Sequence, residues 1–128
     1  MALFDTDVLI DVLREIPGSR ENLLKLSQGG RNLISVISYG EVLFGMRDHE
    51  IKPTMSFLSG FKAISAGRET IELAYDVKKR AKGHNLELYD CIIAATAIME
   101  NQVLVTRNKK HYPDPRARVM VPEYLSAK

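Results

Sequence analysis

The first eleven residues constrain the fold of this chain more than any other stretch. Residues 2–4 (Ala-Leu-Phe) form a short apolar run, which is typical of a strand buried on both faces. Asp5, Thr6 and Asp7 end this run, and the apolar residues from 8 to 13 then follow helical spacing. A strand that turns directly into a helix places its terminal acids at the carboxyl edge of a parallel sheet, where ligands bind. Asp5 is therefore the first candidate functional residue, although a single Asp here also suits a helix cap.

Short apolar runs and helical patterns alternate through the rest of the chain. Further strands are predicted at residues 33–37, 61–64, 103–105 and 118–121. Helices are predicted between them, at residues 20–28, 39–46, 53–58, 68–82 and 90–99. This alternation predicts the α/β class with a mainly parallel sheet and right-handed crossovers.

Local signals set several of these boundaries. Gly29-Gly30 is predicted to stop the second helix. Ser38 is predicted to cap the helix after the second strand, because Glu41 follows it at capping-box spacing. Asp90 begins an uncharged, alanine-rich run to residue 99, which predicts a helix packed into the interior.

The composition limits the kinds of protein that this chain can be. Its 128 residues, of which 45% are hydrophobic, suffice for one domain with a substantial core. No apolar run reaches about 18 residues, and no basic leader precedes the first strand, so we expect neither a membrane span nor a signal peptide. Cys91 is the only cysteine, which excludes an internal disulfide and suggests a reducing cytoplasm. Since only three histidines accompany it, any bound metal is expected to have oxygen ligands, as Mg²⁺ or Mn²⁺ does.

Polar side chains recur where the predicted strands end. Asp5 follows the first strand, Glu41 lies in the first turn of the helix after the second, Asp90 opens the buried helix, and Asn108 follows the strand at 103–105. In a parallel sheet these side chains share one edge, where neighbouring carboxylates repel one another. A divalent cation removes this repulsion, so the pattern indicates a metal site. Each acid by itself also suits a structural role as a helix cap.

Four segments, in this order and at these separations, resemble the motifs of the PIN-domain ribonucleases, in particular the VapC-type toxins of prokaryotic toxin–antitoxin pairs. They are residues 3–10 (LFDTDVLI), 38–42 (SYGEV, followed by Gly45), 89–97 (YDCIIAATA) and 104–108 (LVTRN). The resemblance implies one PIN-like domain over residues 1–128, folded as a three-layer α/β/α sandwich around a mainly parallel five-stranded sheet. It also implies a Mg²⁺- or Mn²⁺-dependent endoribonuclease, usually a homodimer, that is paired with a cognate antitoxin protein.

The resemblance further assigns roles to residues of this chain. Asp5, Glu41 and Asp90 would form the catalytic cleft and hold the metal, with Asn108 as the fourth catalytic position. Thr6 and Thr106 would support the carboxylates or the phosphate through their hydroxyl groups. Apart from the resemblance, Arg107 and Lys110 directly follow the predicted edge, a position that suits either binding of the RNA backbone or simple solvation.

The chain departs from the family pattern at two positions, 7 and 108. Position 7 is often Asn in the family and is Asp here, which adds negative charge. Position 108 is often Asp and is Asn here, which removes a charge but keeps a carbonyl oxygen that can accept a hydrogen bond.

Two other functions suit parts of the same pattern. Residues 5–8 (DTDV) also resemble the start of haloacid-dehalogenase phosphatases, in which the first Asp is a nucleophile. The chain offers no evident late Lys followed by an Asp pair, which such an enzyme would need. The neutral Asn108 keeps a third function open, that of a catalytically weak PIN domain whose acidic cleft binds a basic segment of a partner.

Overall fold

The computed structural model of the protein describes residues 2–27 and 32–124. These ranges contain five strands, which are β1 (Ala2–Phe4), β2 (Asn32–Ser35), β3 (Lys62–Ile64), β4 (Val103–Val105) and β5 (Val119–Met120). They also contain six α-helices, which are α1 (Thr6–Leu13), α2 (Ser19–Leu26), α3 (Val36–Gly45), α4 (Ile51–Leu58), α5 (Arg68–Arg80) and α6 (Leu88–Glu100). Two short 3₁₀ turns span Asp48–Glu50 and Lys109–His111.

The five strands form one sheet in the order β3-β2-β1-β4-β5. Every neighbouring pair in it is parallel. β1 lies in the centre, with β2 on one side and β4 on the other, so the chain crosses to opposite sides of the first strand. This reversal of direction makes the carboxyl end of β1 a switch point, the place where open α/β sheets bind ligands.

Helices cover both faces of the sheet because successive strand residues point to opposite sides. Leu3 and Leu104 belong to one apolar core, which they share with α5 and α6. Phe4 and Val105 belong to the other core, which they share with α1 to α4. The predicted α/β class with a parallel five-stranded sheet between two helical layers is confirmed.

Helix α6 is buried along most of its length. Its residues 91–97 are all buried, which explains why that stretch of sequence carries no charge. It packs chiefly against α5, whose apolar stripe supplies Ala74 and Val77 to the same core. None of the helices in the described ranges has the length and apolar character needed to cross a membrane.

The prediction that Ser38 caps the third helix is wrong. The helix begins at Val36, and Ser35 is its cap, with its side chain accepting a hydrogen bond from the backbone N–H of Ile37. The apolar run at 33–37 reads as one strand, but the hydroxyl of Ser35 satisfies an amide of the first turn and so ends the strand early. Glu41 therefore lies in the second turn of α3 and forms no capping box.

Asp90 also sits two positions further into its helix than predicted. α6 begins at Leu88, with Glu87 as the preceding residue, so Asp90 lies within the first turn instead of opening the helix. Other boundaries move by one to three residues, and α4 begins at Ile51, with Pro53 in its first turn, where no backbone N–H is needed. The predicted stop at Gly29-Gly30 lies outside the described residues.

The C-terminal segment packs back onto the first two helices. The hydroxyl of Tyr124 donates to Asp11 Oδ2 at 2.6 Å, and both residues are buried. Gly18 faces the same ring and has a φ of +84°, a left-handed conformation that favours glycine. A Cβ at this position would approach Tyr124 Cβ to 2.9 Å, so Gly18 is needed for both backbone conformation and space.

The loop between β4 and β5 is fixed by a buried carboxylate. Asp114 accepts hydrogen bonds from the side chain of Arg116 at Nε (3.0 Å) and Nη2 (2.7 Å), and from its backbone N–H (2.9 Å). Arg116 Nη2 also lies 3.0 Å from Asp76 of α5, which ties the loop to the helical layer. The Arg116 hydrogen bonds hold the pKa of Asp114 below its ordinary value.

We expect Asp114→Asn to lower the free energy of unfolding at pH 7 by about 1–2 kcal/mol, since a charge-assisted pair is lost but Arg116 remains partly solvated. Because the folded-state pKa is depressed, this stabilisation is present above the unfolded-state pKa and is lost as the pH falls through the folded-state value. Thermal unfolding of both proteins should therefore show a constant difference from pH 5 to 7 and a shrinking one below about pH 4. Asp48→Asn, at an exposed aspartate, is the control, and an equal effect there would contradict this explanation.

Candidate active site

An acidic cleft lies at the carboxyl edge of the sheet. It has a volume of ≈ 340 Å³, and its lining includes five carboxylates, those of Asp5, Asp7, Glu41, Glu87 and Asp90. Thr6, Asn108 and His111 line it too. The structure thus brings together Asp5, Glu41, Asp90, Asn108 and Thr6 in one cleft, whereas Arg107 and Lys110 are not among its lining residues.

The carboxylate of Asp5 is held by donors from three parts of the chain. Oδ1 accepts the backbone N–H of Thr6 at 2.7 Å, which makes Asp5 the cap of α1. Oδ2 accepts the hydroxyl of Thr106 at 2.7 Å and that of Tyr112 at 2.8 Å. A carboxylate has about four acceptor positions, so these bonds leave room for one further partner. Asp5 is both a helix cap and a wall of the cleft, and the two roles suggested by the sequence are compatible.

Thr6 connects the first helix to Glu41. Its hydroxyl donates to Glu41 Oε1 at 2.6 Å and lies 2.9 Å from the hydroxyl of Ser38. Ser38 is fully buried inside α3, one turn before Glu41. Glu41 is exposed at the mouth of the cleft, and Thr6 fixes the direction in which its carboxylate points.

Asp7 is bound by the turn that follows β4. Its Oδ2 accepts the side-chain N–H of Asn108 at 2.8 Å and the backbone N–H of Arg107 at 3.2 Å. Burial, and next the negative charge of Asp5, raise the pKa of Asp7 to about 6. Asn108 therefore acts here as a donor to the additional acid, so the two departures from the family pattern contact each other.

Asp90 faces the cleft from the first turn of α6. Its Oδ2 lies 3.6 Å from His111 Nδ1. Burial raises the pKa of Asp90, and the charges of Asp5, Glu87 and Glu41 raise it further, while His111 opposes the shift. Burial is thus the main cause of both raised pKa values, and neighbouring carboxylates from distant parts of the sequence add to it.

Arg107 points its side chain away from this cluster. Its Nη1 lies 3.0 Å from Oδ1 of Asp11, a buried acid whose other oxygen accepts the hydroxyl of Tyr124. The backbone of Arg107 meanwhile binds Asp7, so one residue links two acids on successive turns of α1. Lys110 lies exposed in the 3₁₀ turn at 109–111.

The donors of the cleft are the oxygen ligands that hard divalent cations prefer. Within residues 2–27 and 32–124, no three Asp, Glu, His or Cys side chains converge closely enough to enclose an ion by themselves. Mg²⁺ commonly uses only one or two carboxylates and keeps several waters, so this more open arrangement fits it. A closed tetrahedral zinc site does not fit, because such a site needs four nitrogen or sulfur ligands.

The sequence analysis assigned no role in the site to three residues that support it. Tyr112 and Ser38 bind Asp5 and Thr6 from the interior, and Asp11 holds Arg107. Ser38 lies one helical turn before Glu41, and Asp11 lies one turn after Asp7. Each therefore shares a helix face with an acid of the cleft, which is a weak signal in the sequence. Tyr112 had no such signal, since it lies 107 residues from its partner.

Comparisons with known proteins agree with this architecture. Residues 2–113 match the model of the PIN domain family. The chain is 36% identical over 115 residues to "Ribonuclease VapC10" of Mycobacterium tuberculosis, covering 88% of this chain and 86% of that protein.

Solved structures give the same result. A toxin–antitoxin complex from Klebsiella pneumoniae has a chain that is 32% identical, with a TM-score of 0.80 and coverage of 94% of this chain and 96% of its own. VapBC2 from Rickettsia felis, solved bound to a DNA fragment from its promoter, shares the fold at 22% identity and a TM-score of 0.81, with coverage of 95% and 98%. The chain therefore belongs to the PIN domain family and is of the VapC type.

Proposed function

We propose that this protein is a Mg²⁺- or Mn²⁺-dependent endoribonuclease and the toxin of a toxin–antitoxin pair. The observation that carries the proposal is the meeting of Asp5, Glu41 and Asp90 in one cleft. The chain around this cleft is 36% identical to a protein named as a ribonuclease. Membership of the PIN family argues against the haloacid-dehalogenase phosphatase, because the resemblance to that class is limited to residues 5–8.

Asp5 and Asp90 would hold the cation, with Glu41 binding it through water or binding a second ion. When bound, the ion supplies Lewis-acid activation of a water molecule and stabilises the charge that develops on the phosphate. Thr106 and Tyr112 hold the Asp5 carboxylate in place, since both donate hydrogen bonds to its Oδ2. Thr6 orients Glu41 in the same way.

We assign Asp7 and Asn108 a supporting role. Asp7 Oδ2 is already bonded to Asn108 and to the backbone of Arg107, so this carboxylate holds the turn after β4 against α1. Asn108 can supply a carbonyl oxygen to the cleft while its amide binds Asp7. Arg107 and Lys110 would contact the RNA backbone beside the cleft, and Arg107 would have to share its guanidinium with Asp11.

An exposed apolar surface beside the cleft supports a protein partner. The surface is lined by Val36, Ile37, Gly40, Phe44 and Tyr89, and it borders Glu41. Phe44 is 95% exposed, and a large aromatic side chain so placed commonly marks an interface. We assign this surface to a second copy of the chain, which gives a homodimer, and we expect the cognate antitoxin to bind the same protein.

The activity test compares two carboxylates of the same helix. Asp90→Asn should reduce cleavage of mixed tRNA and mRNA with Mg²⁺ or Mn²⁺ by at least about tenfold, because a proposed ligand is lost. Glu100→Gln removes the same charge from the far end of α6 and should leave cleavage unchanged. A wild-type protein that cuts no RNA but binds basic peptides tightly would instead support the binding module.

Asp5→Asn should also abolish cleavage, but the structure predicts a difference in stability. Asp5 caps α1 and accepts two buried hydroxyls, so its replacement should cost about 1 kcal/mol. Asp90→Asn instead removes one charge from a repulsive cluster and should leave the melting temperature unchanged or slightly higher without metal. Thermal unfolding measured with a chelator distinguishes the two, and equal large losses in both would make them structural residues only.

Metal binding predicts a second, independent result. A cation that binds only the folded state at 100 times its Kd adds about 2.7 kcal/mol to the free energy of unfolding. Mn²⁺ or Mg²⁺ should therefore raise the melting temperature of wild type and of Glu100→Gln by several degrees, and that of Asp90→Asn by much less. An equal rise in all three proteins would place the ion outside this cleft.

The dimer is tested by light scattering. Phe44→Ser should weaken self-association by at least about tenfold, because it removes a large exposed aromatic from the proposed interface. Tyr75→Ser, at a residue that is 68% exposed on α5, is the matched control and should leave self-association unchanged. A wild-type protein that remains monomeric would contradict the homodimer.

A further inference from the structure

A second cleft, separate from the acidic one, has a basic lining. Arg80 at the end of α5, Lys82 and His84 in the next turn, and Arg116 in the β4–β5 loop contribute to it, together with the buried Asp114. Its volume is ≈ 180 Å³, which admits a phosphate group and a few water molecules. We call these four basic residues the basic cleft.

Two segments of the chain contribute residues to both the basic cleft and the acidic cleft. The turn between α5 and α6 lines both, with residues 85–87 on the acidic side and Lys82 and His84 on the basic side. The segment after β4 also lines both, with Asn108 and His111 on one side and residues 113–116 on the other. A polyanion lying across the acidic cleft would therefore pass directly into the basic cleft, between the same two walls.

The charges of the basic cleft are held in place by the fold. Asp76 lies 2.9 Å from Arg80 Nε and 3.0 Å from Arg116 Nη2, and Asp114 also binds Arg116. Three permanent cations thus face two carboxylates, and Lys82 is exposed. An arginine has five N–H donors, so an arginine fixed by a carboxylate still presents donors to a phosphate.

We propose that the basic cleft binds a backbone phosphate of single-stranded RNA next to the bond that is cut. This inference rests on the proposed function, because it takes RNA as the ligand. Among the described residues, no Phe, Tyr or Trp lines the cleft, so it offers no stacking platform for a base. Binding there should add affinity and direction without adding sequence preference.

The test uses Asp90→Asn protein with a chelator, so that cleavage does not consume the RNA, and a labelled single-stranded RNA followed by fluorescence anisotropy. Adding Lys82→Gln should raise Kd about threefold to tenfold at low salt and reduce the slope of log K against log salt by about 0.7, the value for one phosphate contact. Lys52→Gln is the matched control, since Lys52 is also an exposed lysine but lies on α4, in the helical layer on the other face of the sheet, and does not line the cleft. It should change Kd less than about twofold, because a distant surface charge is largely screened.

Equal losses in the two variants, or no loss in either, would overturn the proposal. In the active protein, Lys82→Gln should raise KM for RNA and leave kcat unchanged, because Lys82 lines the basic cleft and not the acidic cleft, and so would contact a neighbouring phosphate and not the one that reacts. Cleavage by wild type is measured separately. If wild type does not cleave but Lys82→Gln still weakens RNA binding selectively, the proposed function fails while the basic cleft stands.

Discussion

The hydrogen bonds to Asp5 hold together the parts from which the site is built. One carboxylate receives an amide at the start of α1, a hydroxyl just after β4, and the hydroxyl of Tyr112 beyond the next turn. A buried charge is costly unless such partners surround it, and hydrogen bonds to a charged group contribute about 1.5–3 kcal/mol each. The same bonds therefore fix the carboxyl ends of β1 and β4 relative to each other.

The cleft concentrates more negative charge than the fold can compensate. Asp7 and Asp90 each lie in the first turn of a helix, where the helix dipole favours a carboxylate. Their pKa values are nevertheless raised, because burial and neighbouring acids outweigh that help. A site that is unfavourable when empty is suited to a cation, and the protein exchanges some stability for this capacity.

The overall charge of +2 conceals this arrangement. The acidic and the basic side chains come partly from the same turn and the same loop, so opposite charges lie on neighbouring segments and partly offset one another in the total. Arg107 illustrates the same point at one residue, since its side chain pairs with Asp11 while its backbone binds Asp7. Partner binding therefore depends on where each charge lies, and the total alone is uninformative.

The sequence by itself determined the layers, the parallel sheet and the edge at which the acids collect. Apolar periodicity and the position of Asp5 after β1 depend on neighbours along the chain, which a sequence displays directly. Only the tertiary structure decided that Ser35 and not Ser38 caps α3, that Tyr112 binds Asp5, and that Arg107 turns to Asp11. Each of these residues has several possible partners, and the partner that it contacts depends on which groups the folded chain brings together. The local sequence pattern does not indicate that choice.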